Sequence, residues 1–323
     1  MRAVVVDAIG ATPELRDLDD PPPTGEGESL VRVRAGVVGH LDVQIIRGEI
    51  SLRPTVPIVP GAEGAGEILH SDRLAAGTPV RIRGGGAGVR RNGTWGELTV
   101  VRDSALTPLD DVDKLADQPD HWALAAAFFS PAATAWAALH DVAELQAGER
   151  VLVTGASGAV GSMAVQFAAR HGCDVVAAIG SPEKREGMPG RAAVIAAEEW
   201  DDSRDEIGEI DVVVDCVGGE PLRRAIAATR PGGRVALVGY TAGTEITTPL
   251  NELILADVRL LPTNLLRRDA ALAPRSNVWL NELLAGELTL AFERFALADF
   301  GAAIDALADR RRPGRIVLDP VQA

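Results

Sequence analysis

A glycine-rich turn between an apolar strand and an apolar helix is the strongest indication of chemistry in this sequence. Its glycines, at positions 155, 158 and 161, follow the apolar run 151–153. This spacing permits a tight turn, close approach of the backbone to a pyrophosphate and close packing of helix on strand. Unpaired N–H groups and the helix dipole then favour the phosphate charge. The turn predicts a dinucleotide site, with a purely structural turn as the alternative. Its residues are Gly155, Ala156, Ser157, Gly158, Ala159, Val160 and Gly161.

The residues after the next predicted strand bear on the type of nicotinamide cofactor. An acid at the end of that strand would bind the 2′-hydroxyl of the adenosine ribose and repel a 2′-phosphate. The strand instead ends at Ile179 and Gly180, and Ser181, Lys184 and Arg185 follow. A hydroxyl and two cations suit a dianionic phosphate. We therefore expect NADPH rather than NADH, although an ordinary solvated helix start would have the same composition.

A third predicted part of this site follows the strand 234–238. Ligands of open α/β sheets bind at the carboxyl ends of the strands. Val238, Gly239 and Tyr240 stand at such an end. We expect their backbone to lie beside the nicotinamide.

Composition and charge restrict the other classes of function. The chain has 323 residues and a net charge of −14, which makes nucleic acid and anionic membranes unfavourable partners. Two cysteines exclude a disulfide framework and a four-thiolate zinc site. No apolar run approaches the roughly 18 residues of a membrane span, and the first apolar run is too short for a signal peptide. We expect a cytoplasmic protein without nucleic-acid or membrane partners.

The elements that must position these residues change in character along the chain. Residues 1–122 contain short apolar strands separated by glycine and proline. Residues 123–261 alternate strands with helices, which is typical of a parallel, doubly wound sheet. Residues 262–323 carry amphipathic helices and a closing strand. We predict an α/β protein in which a nucleotide-binding domain, 123–261, is inserted into a β-rich domain.

Further stretches resemble a known family in the order in which that family carries them. Beside the glycine turn they are Leu30–Gly36, His40–Asp42, Val59–Gly66, Ala133–Trp136, Ser181–Lys184, Val214–Gly219 and Pro231–Arg234. Together they resemble the medium-chain dehydrogenase/reductase superfamily, in its zinc-independent quinone oxidoreductase (zeta-crystallin-like) branch. The resemblance implies a GroES-like catalytic domain around a Rossmann domain, with NAD(P)(H) bound in the cleft between them. It also implies an oligomer, for which we expect a homodimer.

The sequence departs from the zinc-dependent relatives at their metal positions. Val38 and Gly39 stand where those relatives have a cysteine, and Ala62 replaces their histidine. The glycine-rich loop 84–88 replaces their four-cysteine lobe. Zinc needs three or four thiolate, imidazole or carboxylate ligands. We therefore expect no metal and no metal-assisted alcohol oxidation.

The resemblance also assigns candidate residues around the substrate. His40 aligns with a position that faces the cofactor pyrophosphate or the substrate, where an imidazole can donate to phosphate or relay a proton. Asp42 is a catalytic candidate whose alternative is to hold the turn, and Gln44 replaces an active-site tyrosine. Thr134 and Val217 are expected to contact the cofactor, Thr134 on its nicotinamide side.

The predicted reaction is hydride transfer from the nicotinamide to a quinone or an α,β-unsaturated carbonyl compound. A conjugated acceptor delocalises the incoming charge, so the protein need supply only orientation and exclusion of water. The proton comes from solvent or from His40. Two alternatives stay open: an enoyl (thioester) reductase that tailors polyketide or acyl chains, and an NADPH-binding protein without turnover. The family matches exclude an unrelated nucleotide binder such as a methyltransferase.

Overall fold

The computed structural model describes residues 1–22, 24–50, 52–110, 119–189, 192–309 and 314–321. The chain forms two compact units. The first contains Met1–Phe129, Asn277–Glu287 and Ala291–Ala323, and the second contains Ser130–Ser276 and Leu288–Leu290. The second unit is therefore an insertion in the first. The predicted boundaries, after residues 122 and 261, fall earlier in the chain than these.

The elements are numbered along the chain. The strands are β1 (Arg2–Val5), β2 (Glu14–Asp17), β3 (Glu28–Val38), β4 (Glu63–Ser71), β5 (Pro79–Arg83), β6 (Leu98–Arg102), β7 (Leu106–Pro108), β8 (Arg150–Thr154), β9 (Asp174–Ile179), β10 (Ala193–Ala196), β11 (Ile210–Asp215), β12 (Thr229–Leu237), β13 (Arg259–Pro262), β14 (Phe292–Ala296) and β15 (Arg315–Asp319). The α-helices are α1 (His40–Arg47), α2 (Pro119–Ala127), α3 (Phe129–Trp136), α4 (Ala159–Arg170), α5 (Arg204–Ile207), α6 (Gly219–Ala228), α7 (Leu250–Ala256), α8 (Asp269–Leu272), α9 (Ser276–Leu284) and α10 (Phe300–Ala308). A π-helical turn, Ala137–Val142, continues α3, and short 3-10 turns include Pro182–Lys184 and Ala197–Glu199.

The first unit is built on a seven-stranded sheet in the order β14-β15-β3-β4-β5-β7, with β6 paired to β3. Its pairs are antiparallel except for β14 with β15. Along β3, Val31, Val33 and Val37 point into the core while Arg32 is exposed, which is the alternation of a sheet with one wet face. Helix α2 packs against β3 and β4. This packing is why residues 123–129 belong to the first unit.

The second unit contains six parallel strands in the order β10-β9-β8-β11-β12-β13. In chain order this is 3-2-1-4-5-6, the Rossmann arrangement, so the predicted doubly wound sheet is confirmed. The central strands are buried through Val151–Val153 and Val212–Val214, as expected of a sheet that packs helices on both faces. The strand order reverses between β8 and β11. That reversal puts the glycine turn at the edge where such sheets bind ligands.

Helices α2 and α3 consist mostly of apolar residues. Within the described part, no single helix is long and apolar enough to cross a membrane. The segments Asp120–Ala127 and Phe129–Val142 meet that criterion only together, as a bent pair and by length and composition alone. Most of their residues are buried inside the protein, so their composition is that of core helices.

Candidate functional site

The glycine turn in the second unit opens the N-terminus of α4 to a ligand. Gly155 follows β8 with a φ of 62°, and its carbonyl accepts the N–H of Gly158 at 2.9 Å. Helix α4 begins at Ala159, and the first N–H groups of any α-helix have no acceptor within the helix. Gly158 is exposed and Ser157 is half-buried. Donors of this kind can reach a pyrophosphate.

The same turn leaves no room for side chains at two of its three glycines. A Cβ on Gly161 would lie 2.3 Å from the carbonyl oxygen of Gly155, and one on Gly155 would lie 2.6 Å from Cγ1 of Val217. On Gly158 the nearest atom would be 3.2 Å away. Gly155 and Gly161 therefore hold the turn against the helix, and Gly158 presents backbone to a ligand. This cradle fits a dinucleotide pyrophosphate.

Asp215, at the end of β11, is hydrogen-bonded to residues at the ends of β8 and β12. It was not among the predicted site residues. Its carboxylate is fully buried and accepts the hydroxyl of Thr154 at 2.6 Å and the N–H of Gly218 at 2.9 Å. Its backbone carbonyl accepts the N–H groups of Val238 and Gly239. Burial raises the pKa of this carboxyl, and the hydrogen bonds from Thr154 and the backbone oppose that rise. The sequence feature that could have identified Asp215 is an acid at the end of an otherwise apolar strand.

The segment 238–240 lies at this edge, as predicted from its place at the end of a strand, and Val217 follows β11 at the same edge. A Cβ on Gly239 would come within 2.2 Å of the Cys216 carbonyl oxygen, and the N–H of Ala242 donates to the carbonyl of Val217 at 2.6 Å. The turns after β11 and β12 are thus packed backbone against backbone. The Tyr240 side chain is 53% exposed, so it projects from the turn rather than filling the core.

Thr134 and the residues after β9 are the remaining predicted cofactor contacts of the second unit. Thr134 is half-buried on α3, and the π-helical turn that follows α3 packs against β12. Gly180 is exposed at the end of β9. The Arg185 guanidinium donates to Glu199, and a hydrogen bond from the Ser181 side chain lowers the pKa of the Glu183 carboxyl. Lys184 ends the short turn between Ser181 and Arg185.

In the first unit, α1 presents a polar face and buries an apolar one. His40 and Leu41 are exposed and Gln44 is half-buried, while Val43 and Ile45 are in the core. Residues four apart share a helix face, which places His40 and Gln44 on the same side. These two predicted residues are therefore available to a substrate on one surface.

Asp42 occupies the opposite face of α1 and positions the backbone. It is 5% exposed, and its two carboxylate oxygens accept the N–H groups of Gly39 and Ala62 at 2.9 and 2.8 Å. Burial raises its pKa to about 6 and the negative charge of Glu63 adds to this, while the two backbone hydrogen bonds and Arg315 act in the opposite direction. Both carboxylate oxygens of Asp42 thus accept hydrogen bonds from turn backbone. Asp42 therefore holds two turns in the structure, and a catalytic role for it stays a prediction.

Glu63 lies between two arginines, Arg83 and Arg315, neither of which the sequence predicts as its partner. Its carboxylate pairs with Arg83 and, at 2.8 Å, with Arg315, and all three side chains are less than one-fifth exposed. Arg315 lies 252 residues away in the sequence. No local pattern could have identified this partner, because only the pairing of strands brings it near.

Comparisons with known proteins match both units. Residues 25–111 match the alcohol dehydrogenase GroES-like domain, and residues 159–273 match the zinc-binding dehydrogenase family. A quinone oxidoreductase of Mus musculus is 30% identical over a 268-residue alignment that covers 76% of this chain and 75% of that protein. The chain belongs to the quinone oxidoreductase branch of the medium-chain dehydrogenase/reductase superfamily. The GroES-like and Rossmann domains predicted from the sequence are confirmed.

Other members of this superfamily cover most of the chain. A prostaglandin reductase-3 of Mus musculus is 29% identical over 80% of this chain and 66% of its own length, and an acrylyl-CoA reductase of Ruegeria pomeroyi is 29% identical over 91% of this chain and 90% of its own length. The quinone oxidoreductase from Thermus thermophilus, whose structure was also determined in complex with NADPH, covers 99% of this chain at 28% identity and a TM-score of 0.80; this chain in turn covers all of it. The protein is accordingly an oxidoreductase of the medium-chain dehydrogenase/reductase type with a nicotinamide cofactor.

In the part of the chain that the structure describes, no three His, Cys, Asp or Glu side chains group as a metal site requires. Asp42 and Glu63, the acids nearest to Ala62, are bound instead to backbone N–H groups and to arginines.

Substitution of Gly161 is expected to damage the dinucleotide site. Gly161→Ala puts a Cβ against the Gly155 carbonyl, so the turn must shift, at a cost of about 1–3 kcal/mol. We expect NADPH affinity to fall at least roughly tenfold, since about 1.4 kcal/mol of lost interaction is a factor of ten. Calorimetric titration measures this. Gly187→Ala, where a Cβ meets nothing within 4 Å, is the control, and equal affinities of the two variants would contradict the expectation.

Asp42 makes the unfolding free energy depend on pH in a direction opposite to that of most carboxylates. Its pKa is about 6 in the folded protein against a usual 3.8, so stability is lost as pH rises through this interval. The wild type is expected to lose roughly 3 kcal/mol relative to Asp42→Asn between about pH 4 and pH 6, and nothing further above that. Urea unfolding of both proteins at several pH values measures the difference. A difference that does not vary with pH would show that Asp42 titrates normally.

Proposed function

We propose that the protein transfers a hydride from NADPH to a conjugated carbonyl compound, either a quinone or an α,β-unsaturated carbonyl. The observation that carries the proposal is the sterically restricted glycine turn at the carboxyl edge of the Rossmann sheet. Similarity to quinone oxidoreductase and to prostaglandin reductase-3 supports this class of acceptor. The NADPH complex of the Thermus thermophilus relative supports the cofactor.

The residues of the second unit bind and orient the cofactor, which supplies the hydride when bound. The first N–H groups of α4 are donors to the pyrophosphate. Ser181, Lys184 and Arg185 are the groups for an adenosine 2′-phosphate. Asp215 keeps the turns after β8, β11 and β12 in one arrangement, so that the backbone of 238–240 and Thr134 meet the nicotinamide in a fixed geometry.

The residues of the first unit act on the acceptor. His40 and Gln44 lie on the accessible face of α1, beside the exposed Leu41. An imidazole and an amide can donate hydrogen bonds to a carbonyl oxygen, and the imidazole can also deliver the proton that follows a hydride. Asp42 holds the start of α1 through the N–H of Gly39 and so sets the direction of this face.

A thioester acceptor is the second candidate. The acrylyl-CoA reductase of Ruegeria pomeroyi matches nearly the whole length of both chains, and its name describes reduction of an enoyl thioester. Quinones, enones and enoyl thioesters share a conjugated carbonyl that delocalises the incoming charge. The difference between them therefore depends on the shape of the acceptor site rather than on the reacting groups.

The protein is proposed to act as a cytoplasmic homodimer. Leu250, Ile254 and Leu255 on α7 are each at least 67% exposed, and Leu266 is 78% exposed. Helix α7 packs against β12 and precedes β13, the last strand of the described six-stranded sheet, and Leu266 follows β13. Large exposed apolar side chains near an open sheet edge are typical of a surface that another chain covers. A second copy satisfies this requirement through a two-fold axis.

Turnover with a panel of acceptors tests the proposed reaction. We expect anaerobic NADPH oxidation, followed by its absorbance, to accelerate with quinones or enones, and His40→Ala to lower kcat by about a hundredfold. Arg47→Ala, an exposed change at the other end of α1, is the control. Reaction with enoyl thioesters alone would favour the second candidate. Tight NADPH binding without any turnover would instead indicate a binding protein.

Oligomeric state tests the dimer surface. Leu255→Glu places a charge in the proposed interface, and we expect it to convert a dimer to monomer in light scattering after gel filtration. Val321→Glu, at a residue 56% exposed in the other unit, should leave the dimer intact. A monomeric wild type would contradict this part of the proposal.

A further inference from the structure

Two loops at the carboxyl edge of the Rossmann sheet are joined by an ion pair. Strands β9 and β10 are parallel neighbours, with Ile179 opposite Ala196, so their loops leave the sheet side by side. Arg185 follows the turn after β9, and Glu199 ends the turn after β10. The guanidinium Nη2 and the carboxylate Oε2 are 2.5 Å apart. The same Oε2 accepts the N–H of Ala196 at 2.9 Å, which anchors Glu199 in this position.

A second carboxylate engages another group of the expected 2′-phosphate site. The Ser181 side chain forms a hydrogen bond with Glu183. In the segment 181–186, the cations Lys184 and Arg185 are matched by the anions Glu183 and Glu186. The hydroxyl and the guanidinium that suit a phosphate are therefore already bound to carboxylates, and the charge of this segment is balanced rather than positive.

We infer that Glu199 sets the cofactor selectivity of this chain by competing with the adenosine 2′-phosphate for Arg185. The inference rests on the proposed function, because it requires a nicotinamide dinucleotide at this edge. A 2′-phosphate must displace Glu199 from Arg185 and approach a second negative charge, whereas a ribose 2′-hydroxyl need do neither. Glu199 thus lowers the affinity for NADPH without lowering that for NADH.

The size of the effect follows from the exposure of the pair. The Arg185 and Glu199 side chains are 46% and 40% exposed, and exposed pairs contribute at most about 1 kcal/mol. That corresponds to roughly fivefold in affinity. Removal of the carboxylate also removes its repulsion of the phosphate dianion. We expect a total of roughly threefold to tenfold.

Glu199→Gln tests the inference, because glutamine retains an acceptor for the Ala196 N–H and removes only the charge. Calorimetric Kd values are measured for NADPH and NADH, and for the fragments 2′,5′-ADP and 5′-ADP, which carry no reacting ring. We expect NADPH and 2′,5′-ADP to bind roughly threefold to tenfold more tightly, with NADH and 5′-ADP changed less than twofold. Glu198→Gln, in the same turn but exposed, is the matched control. It should leave the ratio of the NADPH and NADH Kd values, and that of the 2′,5′-ADP and 5′-ADP Kd values, unchanged.

The double variant Arg185→Gln with Glu199→Gln separates the possible outcomes. If Glu199 acts mainly through Arg185, the charge removal gives a smaller selective gain in an Arg185→Gln background, where only the relief of its repulsion of the phosphate remains. Equal changes for all four ligands would show that Glu199 only holds the loop. A selective loss of NADH and 5′-ADP would show that it accepts a ribose hydroxyl. Either result overturns the inference alone, whereas a wild type that binds no dinucleotide overturns the proposed function.

Discussion

The buried carboxylate of Asp215 is the contact on which the cofactor half of this oxidoreductase depends. It accepts the Thr154 hydroxyl from β8 and the Gly218 N–H from the turn before α6, and its own carbonyl takes two N–H groups after β12. The ends of β8, β11 and β12 are thus connected through the hydrogen bonds of one residue. Since buried polar groups are costly unless they are paired, any movement of one turn would leave donors unsatisfied in the others.

The same principle organises the first unit. Asp42 takes two backbone N–H groups, and Glu63 is neutralised by Arg83 and Arg315. Asp42, the acid among the catalytic candidates, therefore holds two turns in place. His40 and Gln44 are the two predicted substrate residues on the accessible face of α1. This division agrees with an enzyme in which the cofactor supplies the reactivity and the protein supplies orientation.

The positive charge expected around the adenosine end of the cofactor is balanced by neighbouring carboxylates, which local composition alone does not show. A serine, a lysine and an arginine after β9 match a phosphate site in the sequence, yet in the structure Arg185 is bound to Glu199 and Ser181 to Glu183. The value of a cation for a ligand depends on which anion already holds it. Cofactor selectivity in this chain is therefore a competition between the Glu199 carboxylate and the cofactor phosphate for Arg185. Arg185 and Glu199 both lie at the protein surface.

The local features of this protein were determined by its sequence alone. Glycine spacing after β8 and the alternation of apolar strands and helices depend on neighbouring residues, and they predicted the Rossmann sheet and its ligand edge. The absence of an acid at the end of β9 is also local, and the preference for NADPH that it indicates stays a prediction. Only the tertiary structure decided the partners of Asp215, Glu63 and Arg185. It also extended the second unit past residue 261, which lies inside β13. These contacts depend on strand register between segments up to 252 residues apart, and no local pattern encodes the register of distant strands.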